Sequence, residues 1–239
     1  MSSTRRKASR KITSGRTLSS RLWLERQHTD PYVARARREG LRARAAFKLM
    51  QIDDKQHVLR PGGRVVDLGA APGSWSQVAA QRVGATQGRG RVIAVDVLDV
   101  AAISGVESLR LDFLDPDAPR TIKSLLAGPA DVVLSDMAAN TTGHSKTDHL
   151  KIMALAEAAA EFACEVLAPG GAFLCKVLQG GTEATLLAVL KRDFAVVRHI
   201  KPPASRAESA ELYLLATDFR GSQLRHEEDS NVLTSRLLS

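Results

Sequence analysis

Aspartates stand inside or at the ends of four short apolar runs of the sequence. Asp67 lies inside the first run, Asp96 closes the second, Asp112 lies in the third and Asp136 closes the fourth. In open α/β sheets ligands bind beyond the carboxyl ends of the strands, so four such side chains would converge on one crevice. Any one of them alone is explained as well by a helix cap or a solvated strand end. Four together predict a ligand site.

A turn of small residues follows the first of these acids and runs from Gly69 to Gly73. Small side chains let the backbone come close to a ligand, but the spacing differs from the G-x-G-x-x-G of dinucleotide sites, and Pro72 lacks an amide for phosphate. The turn therefore favours S-adenosylmethionine, which has an amino-acid end and a ribose, over NAD. The residues predicted to form this cofactor site are Asp67, Gly69, Ala71, Pro72, Gly73 and, as partner of the ribose, Asp96.

A lysine, Lys176, lies within the apolar run 172–177, where an unpaired ammonium would be costly to bury. It needs a carboxylate partner or must be neutral, and Asp136 at the end of the neighbouring run is a suitable partner. Lys48 ends a basic segment and Glu211 begins the last apolar run, so both could reach the same crevice. These four residues could form structural ion pairs or a catalytic group, and the residues alone leave both explanations open.

The elements that would position these side chains alternate between apolar runs and helical segments. The runs 65–68, 92–96, 109–113, 132–136 and 172–177 are mostly apolar on consecutive residues, as strands of a parallel sheet covered on both faces must be. Helices are predicted between them, at 74–83, 116–126, 148–167 and 181–193. This alternation predicts a doubly wound α/β domain.

The last two apolar runs, 196–200 and 212–216, have only about ten residues and two prolines between them. Such a gap is too short for a crossover helix, so we expect these two strands to be antiparallel. The predicted sheet has seven strands, mostly parallel with one antiparallel strand, and helices on both faces.

Basic charge is concentrated near the amino terminus. The chain carries a net charge of +8, but residues 1–48 hold 14 of the 34 Lys and Arg and only three acids. A polyanion is the usual partner of such a block, through phosphate neutralisation, although a solubilising tail is the alternative. A helical segment over about 30–50 is predicted to face RNA with Arg35, Arg37, Arg38, Arg42 and Arg44.

Length and composition bound the class of protein. The 239 residues suit one domain, no apolar run reaches the roughly 18 residues of a membrane span, and we expect a soluble, cytoplasmic protein. The two cysteines are too few for a disulfide framework, and no histidine pattern predicts a metal. We expect a basic disordered arm at 1–20, a domain at 21–219 and a polar tail at 220–239. A mitochondrial transit peptide is disfavoured because residues 1–20 make a poor apolar face.

Short motifs spread over the chain carry a family resemblance. They are residues 23–24, 30–33, 44–49, 66–73, 135–138, 167–171, 176–177 and 211–213. On these motifs the chain resembles the FtsJ-type large-subunit ribosomal RNA ribose methyltransferases, over about residues 21–219. The resemblance implies the Rossmann-like fold of class I methyltransferases, enzymes that use S-adenosylmethionine. It implies a catalytic tetrad at Lys48, Asp136, Lys176 and Glu211, and cofactor contacts at Gly73, Trp75, Asp96, Asp112 and Asp136.

The same resemblance implies a substrate. It is the ribose 2′-hydroxyl of a uridine in 23S ribosomal RNA, modified on the assembled 50S subunit by a monomeric enzyme. Two other functions stay open at this point: a 2′-O-methyltransferase of transfer RNA, and a ribosome-assembly factor without activity. The complete tetrad argues against the second of them.

Overall fold

The computed structural model describes residues 30–139, 143–180 and 184–221. The predicted arm at 1–20 and almost all of the predicted tail at 220–239 lie outside the described residues. Within the described ranges, no helix is both long and apolar enough to cross a membrane.

A seven-stranded sheet forms the centre of the molecule, in the order β3-β2-β1-β4-β5-β7-β6. Strands β1 to β5 are parallel to one another, while β7 is antiparallel to both β5 and β6. The predicted mostly parallel sheet with one antiparallel strand is confirmed. The strands are β1 Arg64–Leu68, β2 Arg91–Asp96, β3 Val106–Arg110, β4 Ala130–Ser135, β5 Leu167–Leu178, β6 Phe194–Ile200 and β7 Glu211–Phe219.

Helices cover both faces of this sheet, as the apolar runs predicted. Alternate strand residues point to opposite faces, so the neighbours Val65 and Val66 belong to two different apolar clusters. Helices α2 and α3 pack on the Val65 side, and α4, α5 and α6 on the Val66 side. The α-helices in the described residues are α1 Pro31–Arg38, α2 Ala46–Gln56, α3 Ser74–Val83, α4 Ala118–Leu126, α5 Ser145–Val166 and α6 Ala184–Asp193.

The predicted helical segment over 30–50 is wrong as one element, because the chain forms two helices there. The Asp30 side chain caps α1 by accepting from the amide of Tyr32 at 3.0 Å. Gly40 has φ +68°, a left-handed conformation that glycine adopts without steric cost, and α1 ends just before it. Arg42 and Arg44 therefore lie in the loop between α1 and α2 instead of on a helix.

The third strand is also displaced from its predicted position. It spans Val106–Arg110, so Asp112 lies two residues beyond it and not within it. β3 is an edge strand and carries the polar residues Glu107 and Ser108. The apolar pattern from which the strand was predicted therefore covers only its last part. Asp112 still follows the carboxyl end of a strand, as the argument for a shared crevice requires.

Candidate active site

A cleft of about 370 Å³ opens at the carboxyl ends of β1, β2 and β4. Five of the predicted cofactor residues line it, and they come from four different segments of the chain. Apolar side chains of the two loops after β2 and β3 complete it, and three of them are exposed: Val97 by 53%, Leu98 by 63% and Leu114 by 61%. The predicted residues in the lining are Gly69, Ala71, Asp96, Asp112 and Asp136. We call this space the donor cleft.

The turn after β1 comes so close to the loop after β4 that a side chain at Gly69 has no room. A Cβ atom there would lie 2.7 Å from the Cα of Met137, and the residue has φ +74°. Glycine alone meets both conditions. The small residues predicted to admit a ligand thus serve first to pack two loops against each other, which fixes the floor of the donor cleft.

Backbone amides hold the two aspartates of the donor cleft in place. Asp96 accepts from Ala71 at 2.9 Å with Oδ2 and from Leu98 at 2.8 Å with Oδ1. Asp112 accepts from Leu114 at 3.0 Å. A carboxylate has about four acceptor positions, so each aspartate keeps capacity for the hydroxyl or amine groups of a ligand.

Asp67 lies beneath the cleft and not in its lining, since its side chain is fully buried. One carboxylate oxygen accepts from the Ser76 hydroxyl at 2.6 Å, and the other has no hydrogen-bond partner among the described residues. Burial, opposed by the Ser76 hydrogen bond and assisted by the charges of Asp136 and Asp96, raises the pKa of Asp67 to about 7. The group is therefore poised between its neutral and charged forms near neutral pH.

Three other predicted cofactor residues also lie outside the lining of the donor cleft: Pro72, Gly73 and Trp75. Trp75 is buried, donates from its ring nitrogen to the carbonyl of Ala45 at 2.9 Å, and packs on Tyr213 with ring centroids 5.5 Å apart. The indole thus supports the neighbouring tyrosine. Direct contact of these three residues with a cofactor stays a prediction.

The four predicted tetrad residues come together as two ion pairs. Lys176 on β5 lies 3.1 Å from Oδ1 of Asp136, and it also donates to the Asp136 backbone carbonyl at 2.6 Å. Lys48 on α2 donates to Oε1 of Glu211 at 2.6 Å. All four side chains are largely buried, with at most 20% exposed. The predicted pairing of Lys176 with Asp136 is present in the structure.

A tyrosine that the sequence did not single out joins the two pairs. The Tyr213 hydroxyl lies 3.1 Å from Oδ1 of Asp136 and 3.2 Å from Oε1 of Glu211, and it accepts from Lys48 at 3.2 Å. Burial and the two carboxylates raise its pKa well above the ordinary value, so the hydroxyl keeps its proton. One signal was available: Glu211 and Tyr213 are two residues apart on a strand and so share a face.

Electrostatic interactions keep Glu211 charged inside this cluster. Burial by itself would raise its pKa, but the nearby charges of Lys48 and Lys176 and the Ser205 hydroxyl, 3.1 Å away, together lower it below the ordinary value. An ionised Glu211 holds Lys48 in place. Lys48 in turn donates to Tyr213, and the arrangement fixes the position of every polar group of the tetrad.

A second pocket of about 380 Å³ opens beside the tetrad. Lys48 and Glu211 line it, whereas Asp136 lines the donor cleft. Its remaining lining comes from the loop before α2 and the loop before β7, and consists of Arg44, Ala45, Arg206, Glu208 and Ser209. The tetrad, linked through Tyr213, therefore contributes side chains to two separate pockets, while Lys176 is in the lining of neither. We keep the name second pocket for this space.

Three of the five arginines predicted to bind RNA have partners within the protein. Arg35 pairs with Glu39 at 2.7 Å, and Arg42 donates to the carbonyls of Pro72 and Ala102 at 2.9 and 2.6 Å. Arg44 contacts Asp30 and the carbonyl of Ala204. The other two, Arg37 and Arg38, are exposed on α1. The basic segment thus has a structural role as well as a charged surface.

The family is decided by comparison with known proteins. The model of the FtsJ-like methyltransferase family matches residues 41–219. The chain belongs to the FtsJ-like methyltransferase family. It is 64% identical over 216 residues to the ribosomal RNA large subunit methyltransferase E of Azorhizobium caulinodans, which covers 90% of each chain. The relative of the same name from Xanthobacter autotrophicus is 62% identical over 91% of this chain and 85% of that protein.

A solved structure agrees with this assignment. A crystal structure described as a ribosomal RNA methyltransferase from Plasmodium falciparum is 28% identical and has a TM-score of 0.67, over 75% of this chain and 99% of that one. The resemblance drawn from the motifs, the Rossmann-like methyltransferase fold and the class of enzyme are thereby confirmed. Among the described residues of this FtsJ-like methyltransferase, no cluster of side chains could hold a metal ion.

Proposed function

We propose that this methyltransferase transfers the methyl group of S-adenosylmethionine to the ribose 2′-hydroxyl of a uridine in 23S ribosomal RNA, acting as a monomer on the assembled 50S subunit. The names of the relatives supply the class of RNA. One observation carries the chemistry: the tetrad contributes side chains to two pockets, Asp136 to the donor cleft and Lys48 and Glu211 to the second pocket. Such an arrangement suits a reaction between two bound molecules, and one chain forms all of it.

The donor cleft fits S-adenosylmethionine by its chemistry. Asp96 is placed to accept from ribose hydroxyls, and Asp112 from an amino group. The exposed Val97, Leu98 and Leu114 would be covered by the adenine ring, which removes apolar surface from water. The bound cofactor supplies a methyl group activated by a positively charged sulfur.

Lys176 is the residue assigned to the acceptor hydroxyl. Methyl transfer would form a C–O bond at the ribose as the S–C bond of the cofactor breaks, and it would require the hydroxyl proton to leave. For this role Lys176 must first give up its own proton; it would then accept the hydroxyl proton, and the ammonium that re-forms would face the carboxylate of Asp136 at 3.1 Å. The carboxylate of Asp136 would thus stabilise the positive charge that Lys176 gains with the proton. The same amine can also orient the acceptor hydroxyl through a hydrogen bond, and this role needs no other residue.

Transfer of a radiolabelled methyl group tests this proposal. Label is expected on 50S subunits, at a 2′-O-methyluridine, with less on naked 23S RNA and none on transfer RNA. Lys176→Ala is expected to reduce the rate by at least about 10³-fold while it leaves S-adenosylmethionine bound, whereas Lys123→Ala, an exposed control on α4, is expected to have no effect.

Three results would contradict it. Label on transfer RNA alone would move the substrate to another RNA. Near-normal turnover by Lys176→Ala would remove that residue from the chemistry. Sedimentation of the active protein as a dimer would contradict the proposed monomeric state.

A further inference from the structure

One carboxylate beneath the donor cleft has no part in the proposed chemistry. Asp67, on β1, is fully buried, and its Oδ2 accepts from the Ser76 hydroxyl at 2.6 Å. The other oxygen, Oδ1, is buried without a hydrogen-bond partner among the described residues. A buried carboxylate with so few donors is costly to ionise, because hydrogen bonds or a positive charge must replace the lost water. The surroundings of Asp67 therefore disfavour its negative charge unless a cation comes close.

The charged groups that act on Asp67 are themselves acidic. Burial raises its pKa to about 7, the charges of Asp136, after β4, and Asp96, at the end of β2, add to this effect, and Ser76 on α3 opposes it. Lys176 on β5 pairs with Asp136 instead. Within the described part of the chain, no lysine or arginine pairs with Asp67. A bound ligand is thus the remaining source of a compensating positive charge.

The two acidic neighbours of Asp67 also line the donor cleft. Since the charges of Asp96 and Asp136 act on Asp67 through space, a cation bound against these carboxylates acts on it in the opposite direction and stabilises its ionised form. S-adenosylmethionine carries such a charge on its sulfonium. S-adenosylhomocysteine, which is left after methyl transfer, lacks that charge and one methyl group. The charge state of Asp67 therefore responds to the feature that distinguishes donor from product.

We propose that Asp67 is a specificity-determining residue that senses the sulfonium charge: its ionised form strengthens binding of S-adenosylmethionine and leaves binding of S-adenosylhomocysteine unchanged. The inference rests on the proposed function, in which the donor cleft holds the methyl donor. Coupling between two binding events is reciprocal, so binding of S-adenosylmethionine expels the proton of Asp67. When methyl transfer removes the sulfonium charge, Asp67 takes a proton back from solvent and the product is held less tightly than the donor.

Calorimetry without RNA tests the proposal. The Kd values for S-adenosylmethionine and S-adenosylhomocysteine are measured between about pH 5.5 and 8, where Asp67 ionises. The ratio of the Kd for the product to the Kd for the donor should rise with pH, by a factor at least about fivefold larger in the unsubstituted protein than in Asp67→Asn. The comparison cancels any titration of the ligands themselves. Asp117→Asn, an exposed carboxylate at the start of α4, is the control and should follow the unsubstituted protein.

Proton release provides a second readout that a merely structural role would not change. Titrations near pH 7 in buffers of different ionisation enthalpy should show more protons released with S-adenosylmethionine by the unsubstituted protein than by Asp67→Asn. Ser76→Ala keeps the carboxylate but removes its hydrogen bond, which raises the pKa of Asp67 further. The rise of the Kd ratio should therefore move to higher pH in this variant, and thermal melts show whether each variant is folded.

Three outcomes would overturn the inference. The first is a Kd ratio that rises with pH as much in Asp67→Asn as in the unsubstituted protein. The second is an equal loss of affinity for both ligands in Asp67→Asn at every pH, which would give Asp67 a structural role only. The third is a rise at the same pH in Ser76→Ala. The proposed function fails separately, since the unsubstituted protein would then transfer no label to ribosomal RNA, whatever the pH dependence of the two affinities.

Discussion

The Tyr213 hydroxyl links the two ion pairs of the tetrad into one hydrogen-bonded unit. It is the only described atom within hydrogen-bond distance of Asp136, Glu211 and Lys48 together. Tyr213→Phe keeps the buried ring but removes the hydroxyl. Asp136 and Glu211 then lose the O–H donor that lies between them. The cost of an unsatisfied buried group is about 1–3 kcal/mol, so we expect single-turnover methyl transfer to slow by about 5- to 150-fold.

Tyr32→Phe provides a matched control for this change. The Tyr32 hydroxyl has a hydrogen bond from Gln51 at 3.3 Å, away from the tetrad. We expect that control to leave the rate of the chemical step unchanged. Equal rates for Tyr213→Phe and the unsubstituted protein would mean that the two ion pairs act independently.

A buried acid beneath the donor cleft makes stability depend on pH. The pKa of Asp67 is about 7 in the folded protein and near 3.8 in an unfolded chain. Between these values the folded state binds the extra proton, so stability falls as the pH rises from about 4 to 7 and then stays low. Asp67→Asn is neutral throughout, and we expect its Tm, relative to the unsubstituted protein, to be at least about 5 °C higher at pH 8 than at pH 4.5.

Thermal melts of the cofactor-free protein at a series of pH values measure this difference. Asp117→Asn, at a carboxylate whose side chain is 72% exposed, is the control and should follow the unsubstituted protein at every pH. Parallel curves for Asp67→Asn and the unsubstituted protein would show that Asp67 titrates normally.

Individual residues differ in how far the sequence could predict them. Lys176 was found because a lysine inside an apolar run demands a partner, and Asp136 was found because it ends the next run. Tyr213 was missed as a site residue because a tyrosine in a strand is ordinarily part of the core. Only the register of β7 against β5, which pairs Tyr213 with Lys176, brings its hydroxyl to the tetrad.

At the scale of elements, the loop between α1 and α2 connects the basic segment with the cofactor turn. Arg42 donates to the carbonyls of Pro72 and Ala102, and its own amide donates to the Gln77 side chain at 3.2 Å. It thereby holds the turn after β1 against the loop after β2. We expect Arg42→Ala to raise the Kd for S-adenosylmethionine about three- to tenfold, measured by calorimetry without RNA.

Arg120→Ala serves as the control for this measurement, because Arg120 is absent from the lining of the donor cleft and pairs with Asp117 at the start of its own helix. An unchanged affinity for S-adenosylmethionine in Arg42→Ala, together with weaker RNA binding, would assign Arg42 to the RNA as the sequence suggested.

The boundaries of helices and strands were predicted most accurately where the local sequence pattern is strongest. Buried strands such as β1 and β4 were found within one or two residues, because consecutive apolar residues mark them. The break between α1 and α2 was missed, since alanine and arginine favour a helix on both sides of Gly40, and one glycine does not by itself end a helix. Tertiary contacts of Arg42 and Arg44 stabilise the irregular loop, and these contacts are not visible in a local pattern.

At the scale of the whole molecule, basic charge is concentrated in the amino-terminal part of the sequence. Residues 1–20 contain six Lys or Arg and no acid. We predict that deletion of this segment weakens RNA binding and flattens its salt dependence by about 0.7 for each phosphate that the segment neutralises. The Kd for S-adenosylmethionine should stay the same, because every residue of the donor cleft lies beyond position 68. Filter binding of 23S RNA fragments at several salt concentrations measures the slope, and an unchanged slope would make the segment a passive tail.

The last strand of the sheet is inserted between two earlier ones, and this order has a consequence for biosynthesis. Strand β7 separates β5 from β6 and carries both Glu211 and Tyr213. Without β7 the chain lacks one of the two ion pairs of the tetrad, Lys48–Glu211, and the Tyr213 hydroxyl that links them. The hydrogen-bonded network of the tetrad is therefore complete only after this last strand has been synthesised and has inserted between β5 and β6.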